Sequence, residues 1–193
     1  MRRTSVFFGS GVLVALAVGW LAFPRVLYTH QQQPLAFRHK THAAKAGTSG
    51  CTDCHSLRED GSFTGIPKTA TCGGCHAEKM GTSSAEATLV DSFVKPGRET
   101  PWLVYARQPA NVRFSHAIHT KRAGIACTKC HGDQGESDTV KTYEQNRISG
   151  YSRDIAGGSA FHFGRGPHGT RMSDCEGCHK ERAVDVGCLG CHQ

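Results

Sequence analysis

The first part of the chain is apolar and the remainder is mostly polar. Residues 5–23 carry no charged side chain, and these nineteen residues follow Arg2 and Arg3. That length is sufficient for a helix to cross a bilayer. Beyond residue 33 apolar residues are spread thinly, so we expect short helices separated by long loops.

We expect residues 1–33 to form an uncleaved membrane anchor followed by a short neck. A cleaved signal peptide is the alternative, since Ala15-Leu16-Ala17 supplies an A-x-A match, but further apolar residues follow that match. The two N-terminal arginines predict a cytoplasmic N-terminus, with everything after Pro24 on the exported side.

Small residues recur every four positions within the apolar segment, at Gly11, Ala15 and Gly19. Such a stripe lets another transmembrane helix approach closely. The alternative is the ordinary enrichment of glycine in membrane helices.

The polar part of the chain contains a motif typical of covalent haem attachment. In Cys127, Cys130 and His131 the spacing is C-x-x-C-H, in which two thiols bind the haem vinyl groups and the histidine binds the iron. His116 and His119 precede this motif and lie three residues apart. Residues at this separation share one face of a helix, so we expect both imidazoles to be distal iron ligands.

The motif occurs five times and uses all ten cysteines. An F-x-H-x-x-H element precedes two of the copies, and its two occurrences are 77 residues apart, whereas the motifs that follow them are 76 apart. We interpret this as an internal duplication. The predicted attachment residues are Cys51, Cys54, Cys72, Cys75, Cys127, Cys130, Cys175, Cys178, Cys188 and Cys191.

Zinc sites and disulfides explain the cysteines less well. Four-cysteine zinc sites use C-x-x-C pairs two at a time, so five pairs leave one over, and zinc does not require a histidine after each pair. Disulfides between such close cysteines would close very short loops. We therefore predict five covalently attached c-type haems as the cofactors.

The axial ligands follow from the supply of histidines. The proximal ligands are predicted to be His55, His76, His131, His179 and His192, and four distal ligands to be His39, His42, His116 and His119. In each distal pair the first histidine is expected to serve the nearest haem and the second a neighbouring one. The fifth distal ligand stays open between Met172, His162 and His168. A methionine ligand would raise that haem's potential.

Composition and charge agree with a haem protein. Hydrophobic residues make up only 38% of the 193 residues, and 23 residues are glycine, so we expect haems to fill the interior of a mainly α and irregular, haem-packed fold. The formal charge of +7 is scattered and would be offset by haem propionates. We therefore expect no nucleic-acid partner.

The motifs divide the chain into four predicted parts. Residues 1–33 form the anchor and neck, and residues 34–80 form a first module with two haems. Residues 81–111 form a connector without a haem motif, and residues 112–193 form a second module with three haems. The cysteine-free stretch 133–172 is expected to be a long surface excursion or a loop that covers a haem.

The two F-x-H-x-x-H and C-x-x-C-H cassettes resemble those of class III multihaem cytochromes c. With the N-terminal helix, Pro101-Trp102 and the stretch 146–154 (NRISGYSRD), the chain is similar to the multihaem cytochrome subunits of alternative complex III and of related menaquinone reductase complexes. The resemblance implies an electron-transfer subunit on the periplasmic side of the bacterial inner membrane. It implies as partners polytopic quinone-binding membrane subunits, an iron–sulfur subunit and a periplasmic redox protein.

Two other functions stay open at this stage. One is a self-sufficient quinol dehydrogenase of the small tetrahaem type, and the other is a multihaem enzyme with one open iron. Because the distal candidates outnumber the irons, we favour an electron-transfer subunit with no catalytic residue of its own.

The haem count can be tested on the denatured protein. Thioether bonds survive denaturation, so the intact polypeptide should retain the mass of five haems and stain for haem. Mass spectrometry of the denatured chain checks this, and a mass corresponding to fewer haems would contradict the count.

Overall fold

In the computed structural model, which describes residues 2–45, 50–152 and 172–192, the N-terminal segment is helical throughout. Helix α1 spans Arg2–Ala17, a π-helical turn spans Val18–Ala22, and α2 spans Phe23–Val26. Among the described residues, one helical stretch, Arg3–Ala22, is long and apolar enough to cross a membrane, with a mean hydropathy of 2.0 and no buried part. A signal sequence has the same properties, so the anchor stays a prediction.

A two-stranded antiparallel sheet follows the helix. Strand β1 (Tyr28–Gln31) pairs with β2 (Tyr143–Asn146), with Tyr28 opposite Asn146. The side chain of Asn146 accepts hydrogen bonds from the backbone N–H groups of Ile148 and Ser149 at 2.9 and 3.0 Å, which closes the turn after β2. Part of the predicted surface excursion 133–172 is therefore a strand that folds back onto the neck.

The remaining regular elements are short. They are α3 (His39–Lys45), α4 (Thr69–Gly73), α5 (Ser84–Leu89), α6 (Cys127–His131) and α7 (Met172–Glu181), with π-helical turns at Val90–Val94 and Ile118–Arg122 and 3₁₀ turns at Cys51–Asp53, Gln134–Glu136 and Cys188–Gly190. Each of the five C-x-x-C-H motifs overlaps one of these short helical elements. The reason is that the histidine lies four residues after the first cysteine, which is the spacing of an α-helical hydrogen bond.

Only three apolar side chains are buried among the described residues, namely Tyr28, Leu35 and Val90. Val90 is fully buried in the turn after α5. Nearby, Glu99 accepts a hydrogen bond from the N–H of Thr69 at 2.9 Å, at the first residue of α4. This small cluster supports the second C-x-x-C-H motif, and the apolar core around it is too small to organise the rest of the chain.

A tight turn that follows the first motif packs against the second F-x-H-x-x-H element. Leu57 and Phe63 pair across the turn, and Gly61 has a φ of +80°, which favours glycine. A side chain at Gly61 would also approach the Cβ of Ala117 to 3.2 Å. The turn therefore brings Phe63 against residues far along the sequence.

Candidate functional site

The five C-x-x-C-H motifs are five similar turns of backbone. The N–H groups of His55, His76 and His192 donate to the carbonyl of the first cysteine of their motif at 2.8 to 2.9 Å, and the other two motifs lie within α6 and α7. We number them in chain order as site 1 (residues 51–55), site 2 (72–76), site 3 (127–131), site 4 (175–179) and site 5 (188–192). None of the ten cysteines forms a disulfide.

The first distal element is held by aromatic packing. The ring of Phe37 stacks on His42 with centroids 4.3 Å apart and meets His39 edge-on at 4.8 Å. The Nδ1 of His42 donates to the carbonyl of Arg38 at 2.8 Å. Because Nδ1 forms this hydrogen bond within the helix, Nε2 is the nitrogen through which His42 would bind a metal.

The second distal element repeats this arrangement. Phe114 stacks on His119 at 4.4 Å and meets His116 edge-on at 4.9 Å. The Nδ1 of His119 donates to the carbonyl of Ser115 at 2.8 Å. The duplication seen in the sequence thus extends to the conformation of both elements.

Three of the four distal candidates lie close to a C-x-x-C-H histidine. The ring centroids are 6.2 Å apart for His42 and His76, 6.3 Å for His116 and His131, and 6.1 Å for His119 and His179. The last two pairs are nearly parallel, with interplanar angles of 5° and 17°.

This spacing fits one metal ion between each pair of rings. A metal–imidazole bond is about 2.0–2.1 Å long and the ring centroid lies about 1 Å behind the nitrogen, so two opposed imidazoles on one metal have centroids about 6 Å apart. Each pair also lies beside two thiols at the spacing required for covalent haem attachment. The side chains therefore fit haem with histidine on both faces.

His39 completes the set beside site 1. Burial lowers the pKa of His39, and the nearby His55 and His42 lower it further. Its Nδ1 is buried and has no hydrogen-bond partner among the described residues. Burial likewise lowers the pKa of His116, with additional effects from His131 and His119. A lowered pKa favours the neutral imidazole, which is the form that binds metals.

The proximal histidines at sites 1 and 2 have different hydrogen-bond acceptors. The Nδ1 of His55 donates to the carbonyl of Gly65 at 3.3 Å, whereas the Nδ1 of His76 donates to Oε1 of Glu86 at 2.9 Å. The backbone N–H of Met80 lowers the pKa of Glu86 despite partial desolvation, and His76 and the N–H of Gly81 lower it further. Glu86 is therefore an ionised acceptor next to a predicted iron ligand.

Thiols of different sites lie close together. Burial raises the pKa of Cys51 and the nearby Cys127 thiol raises it further. Partial burial likewise raises the pKa of Cys72, with a further contribution from Cys54. Burial also raises the pKa of Cys175, with contributions from Cys130 and then from Asp174 and Cys191. These electrostatic effects place thiols of sites 2 and 1, 1 and 3, 3 and 4, and 4 and 5 near one another.

Site 5 lies beside the start of the second module. Val112 forms a β-bridge with His192, and the N–H of Arg113 donates to the carbonyl of Cys191 at 2.7 Å. Met172, one candidate for its distal ligand, is the first residue of α7 and is exposed. The other two candidates, His162 and His168, lie outside the described residues, so the fifth ligand stays open.

His30 is exposed and its Nδ1 lies 3.2 Å from the side-chain carboxylate of Glu144.

Sequence reasoning missed two residues that contact the predicted ligands. Glu86 lies in the connector 81–111, where no motif marks it. Phe63 stacks on His116 at 4.3 Å and lies 6.2 Å from the ring of His55. No spacing rule identifies either residue, because both contacts depend on the path of the loops.

Comparison with known proteins identifies the family of this chain. Residues 92–193 match the class III cytochrome c family. The chain is also 40% identical over 198 residues to the menaquinone reductase multiheme cytochrome c subunit of Nitratidesulfovibrio vulgaris (strain Hildenborough), covering 95% of this chain and 87% of the relative.

The ring pairs predict that His116 and His119 serve different haems. Replacing His116 by Met should shift the spectrum and raise the potential of the haem at site 3, and His119→Met should do the same at site 4, because the axial pair sets both properties. Spectroscopic redox titration checks this. Attachment should be unaffected, since the thiols are unchanged. If both variants shift the same component, or neither shifts any, the pairing is wrong.

Proposed function

Because this chain belongs to the class III cytochrome c family, we propose that it is a pentahaem electron-transfer subunit of a quinone-linked membrane complex. As a multihaem c-type cytochrome it binds haem covalently, and haem iron, when bound, supplies a one-electron couple. The observation that carries the proposal is the set of three imidazole pairs with centroids 6.1 to 6.3 Å apart beside C-x-x-C-H thiols.

In this proposal each site uses two cysteines for attachment and one histidine as the proximal ligand. The distal ligands are His39 at site 1, His42 at site 2, His116 at site 3 and His119 at site 4. Thus the first histidine of each element serves its own cassette and the second serves a neighbour. Met172, His162 or His168 completes site 5.

Imidazoles on both faces leave no iron position for a substrate. At sites 1 to 4 the paired rings would occupy both axial positions, and stacking by Phe37 and Phe114 restricts their movement. We therefore propose that the chain carries electrons without converting a substrate itself.

The electrostatic effects between thiols of different sites support a linear arrangement of redox groups. Thiols of site 2 act on those of site 1, thiols of site 1 on those of site 3, and thiols of site 4 on those of sites 3 and 5. Sites 2 and 5 would then form the two ends of the series. We propose that partners exchange electrons at these ends.

The N-terminal helix and the relative support assignment to a membrane complex. The exposed apolar stretch Arg3–Ala22 would anchor the chain in the bacterial inner membrane, with the haem-binding part on the periplasmic side. The relative is a subunit of a menaquinone reductase. We propose a similar complex, or one like alternative complex III, with polytopic quinone-binding subunits, an iron–sulfur subunit and a periplasmic redox partner.

Within this complex the chain would have four parts. Residues 1–33 would be the anchor and neck, 34–80 and 112–193 the two haem modules, and 81–111 the connector. Contacts such as that between Phe63 and His116 would hold the two modules together.

The complex can be tested by purification from native membranes. The tagged chain should co-purify in mild detergent with polytopic membrane subunits and an iron–sulfur or periplasmic redox protein. Menaquinol should reduce the haems in this complex and fail to reduce them in the isolated chain. Subunit identification and stopped-flow spectroscopy measure the two outcomes. Rapid menaquinol oxidation by the isolated anchored chain would instead support a self-sufficient quinol dehydrogenase.

Two controls make the test specific. Gly11→Leu adds bulk to the small-residue stripe and should reduce co-purification, whereas Ala17→Leu adds bulk on a different helix face and should not. Carbon monoxide should not bind the reduced chain, because each iron would have two protein ligands. Binding of carbon monoxide would support the alternative of an enzyme with one open haem.

A further inference from the structure

We propose that Glu86 lowers the reduction potential of the haem at site 2 by accepting a hydrogen bond from the proximal histidine His76. The Nδ1 of His76 lies 2.9 Å from Oε1 of Glu86. Both side chains are largely shielded, with exposed fractions of 19% for His76 and 11% for Glu86. The inference rests on the proposed function, because it requires His76 to bind the haem iron.

The carboxylate of Glu86 is held in place from both sides. Oε1 also accepts a hydrogen bond from the N–H of Met80, and Oε2 accepts one from the N–H of Gly81, both at 2.9 Å. These donors lie in the loop between site 2 and α5, and Glu86 lies in the first turn of α5. The position of the acceptor is therefore set by backbone geometry.

Neighbouring carboxylates have other partners. Glu78 pairs with Lys95 at 2.8 Å and Asp91 pairs with Lys79 at 2.7 Å. Glu86 instead forms its ion-pair contact with a ring nitrogen of His76. Of these three acidic residues, Glu86 is the one placed to act on a predicted iron ligand.

A charged hydrogen-bond acceptor alters the electron donation of a histidine ligand more than a neutral acceptor does. A carboxylate draws the Nδ1 proton of imidazole toward itself, which raises the basicity of the other nitrogen and strengthens its donation to a bound metal. Stronger donation favours ferric over ferrous iron and lowers the potential. At site 1 the corresponding acceptor is the neutral carbonyl of Gly65 at the longer distance of 3.3 Å. The effect should therefore be specific to site 2.

The test replaces Glu86 by Gln in the full-length haem-loaded chain in detergent. Spectroscopic redox titration should show one component shifted to higher potential. We expect the ferrous-to-ferric ratio of that haem at a fixed potential to rise about tenfold, which for a one-electron couple corresponds to a rise of about 59 mV in the midpoint. The low-spin ferric signal of the same haem in electron paramagnetic resonance should also change, which loss of a merely structural contact elsewhere would not produce.

Two further variants identify the haem and control for charge. His42→Met changes the opposite ligand at site 2 and marks the component that belongs to this site. Glu78→Gln removes one negative charge from the same module without touching a histidine, and should leave all midpoints unchanged. Equal shifts in Glu86→Gln and Glu78→Gln would overturn the proposal, as would a Glu86→Gln shift in a component other than the one that His42→Met moves.

Haem content separates failure of this inference from failure of the proposed function. If the wild-type chain holds fewer than five haems or His42→Met moves no component, the ligation scheme is wrong. If five haems are present and His42→Met acts as expected but Glu86→Gln has no effect, the role of Glu86 is wrong. If the Glu86→Gln variant loses the haem at site 2, the Glu86→Asp variant tests the proposal instead. Its shorter side chain keeps the negative charge but moves it away from His76. A rise in the midpoint of site 2 then supports the proposal, and an unchanged midpoint overturns it.

Discussion

The distance between opposed imidazole rings is the constraint on which the rest of this structure depends. Two rings must stay about 6 Å apart, facing each other, without collapsing together. The chain achieves this at three places where the partner rings are 34, 15 and 60 residues apart in sequence, for His42 and His76, His116 and His131, and His119 and His179. This separation matches the distance that two imidazoles on one metal ion require. The proposed ligation would therefore account for a spacing that recurs at three places in the chain.

The same constraint accounts for the sparse secondary structure. The described residues bury three apolar side chains, and most helices last only one or two turns. Short helices of this kind are not stable by themselves. In the proposed haem-loaded protein, thioether and iron–ligand bonds would stabilise the fold, and the protein would contribute the local turns that present thiols and imidazoles.

Small differences around similar ligands give the sites different chemistry. Sites 1 and 2 share the motif and the distal element, but their proximal histidines donate to a carbonyl and to a carboxylate respectively. Phe63 lies between a proximal histidine of one site and a distal candidate of another. Repetition of the motif thus gives the five sites similar backbone turns, and the connecting loops give each proposed site its own surroundings.

The sequence by itself determined the family, the attachment motifs and the candidate ligands, because covalent attachment and helical ring pairs require side chains at short, fixed spacings. The spacing between His116 and His119 predicted that both would lie on one helical element, and the repeat at residues 37–42 predicted a second such element. Tertiary structure alone decided that His119 lies close to His179 and that Glu86 contacts His76. Those relations depend on how loops bring distant residues together, and no local spacing rule encodes the path of a loop.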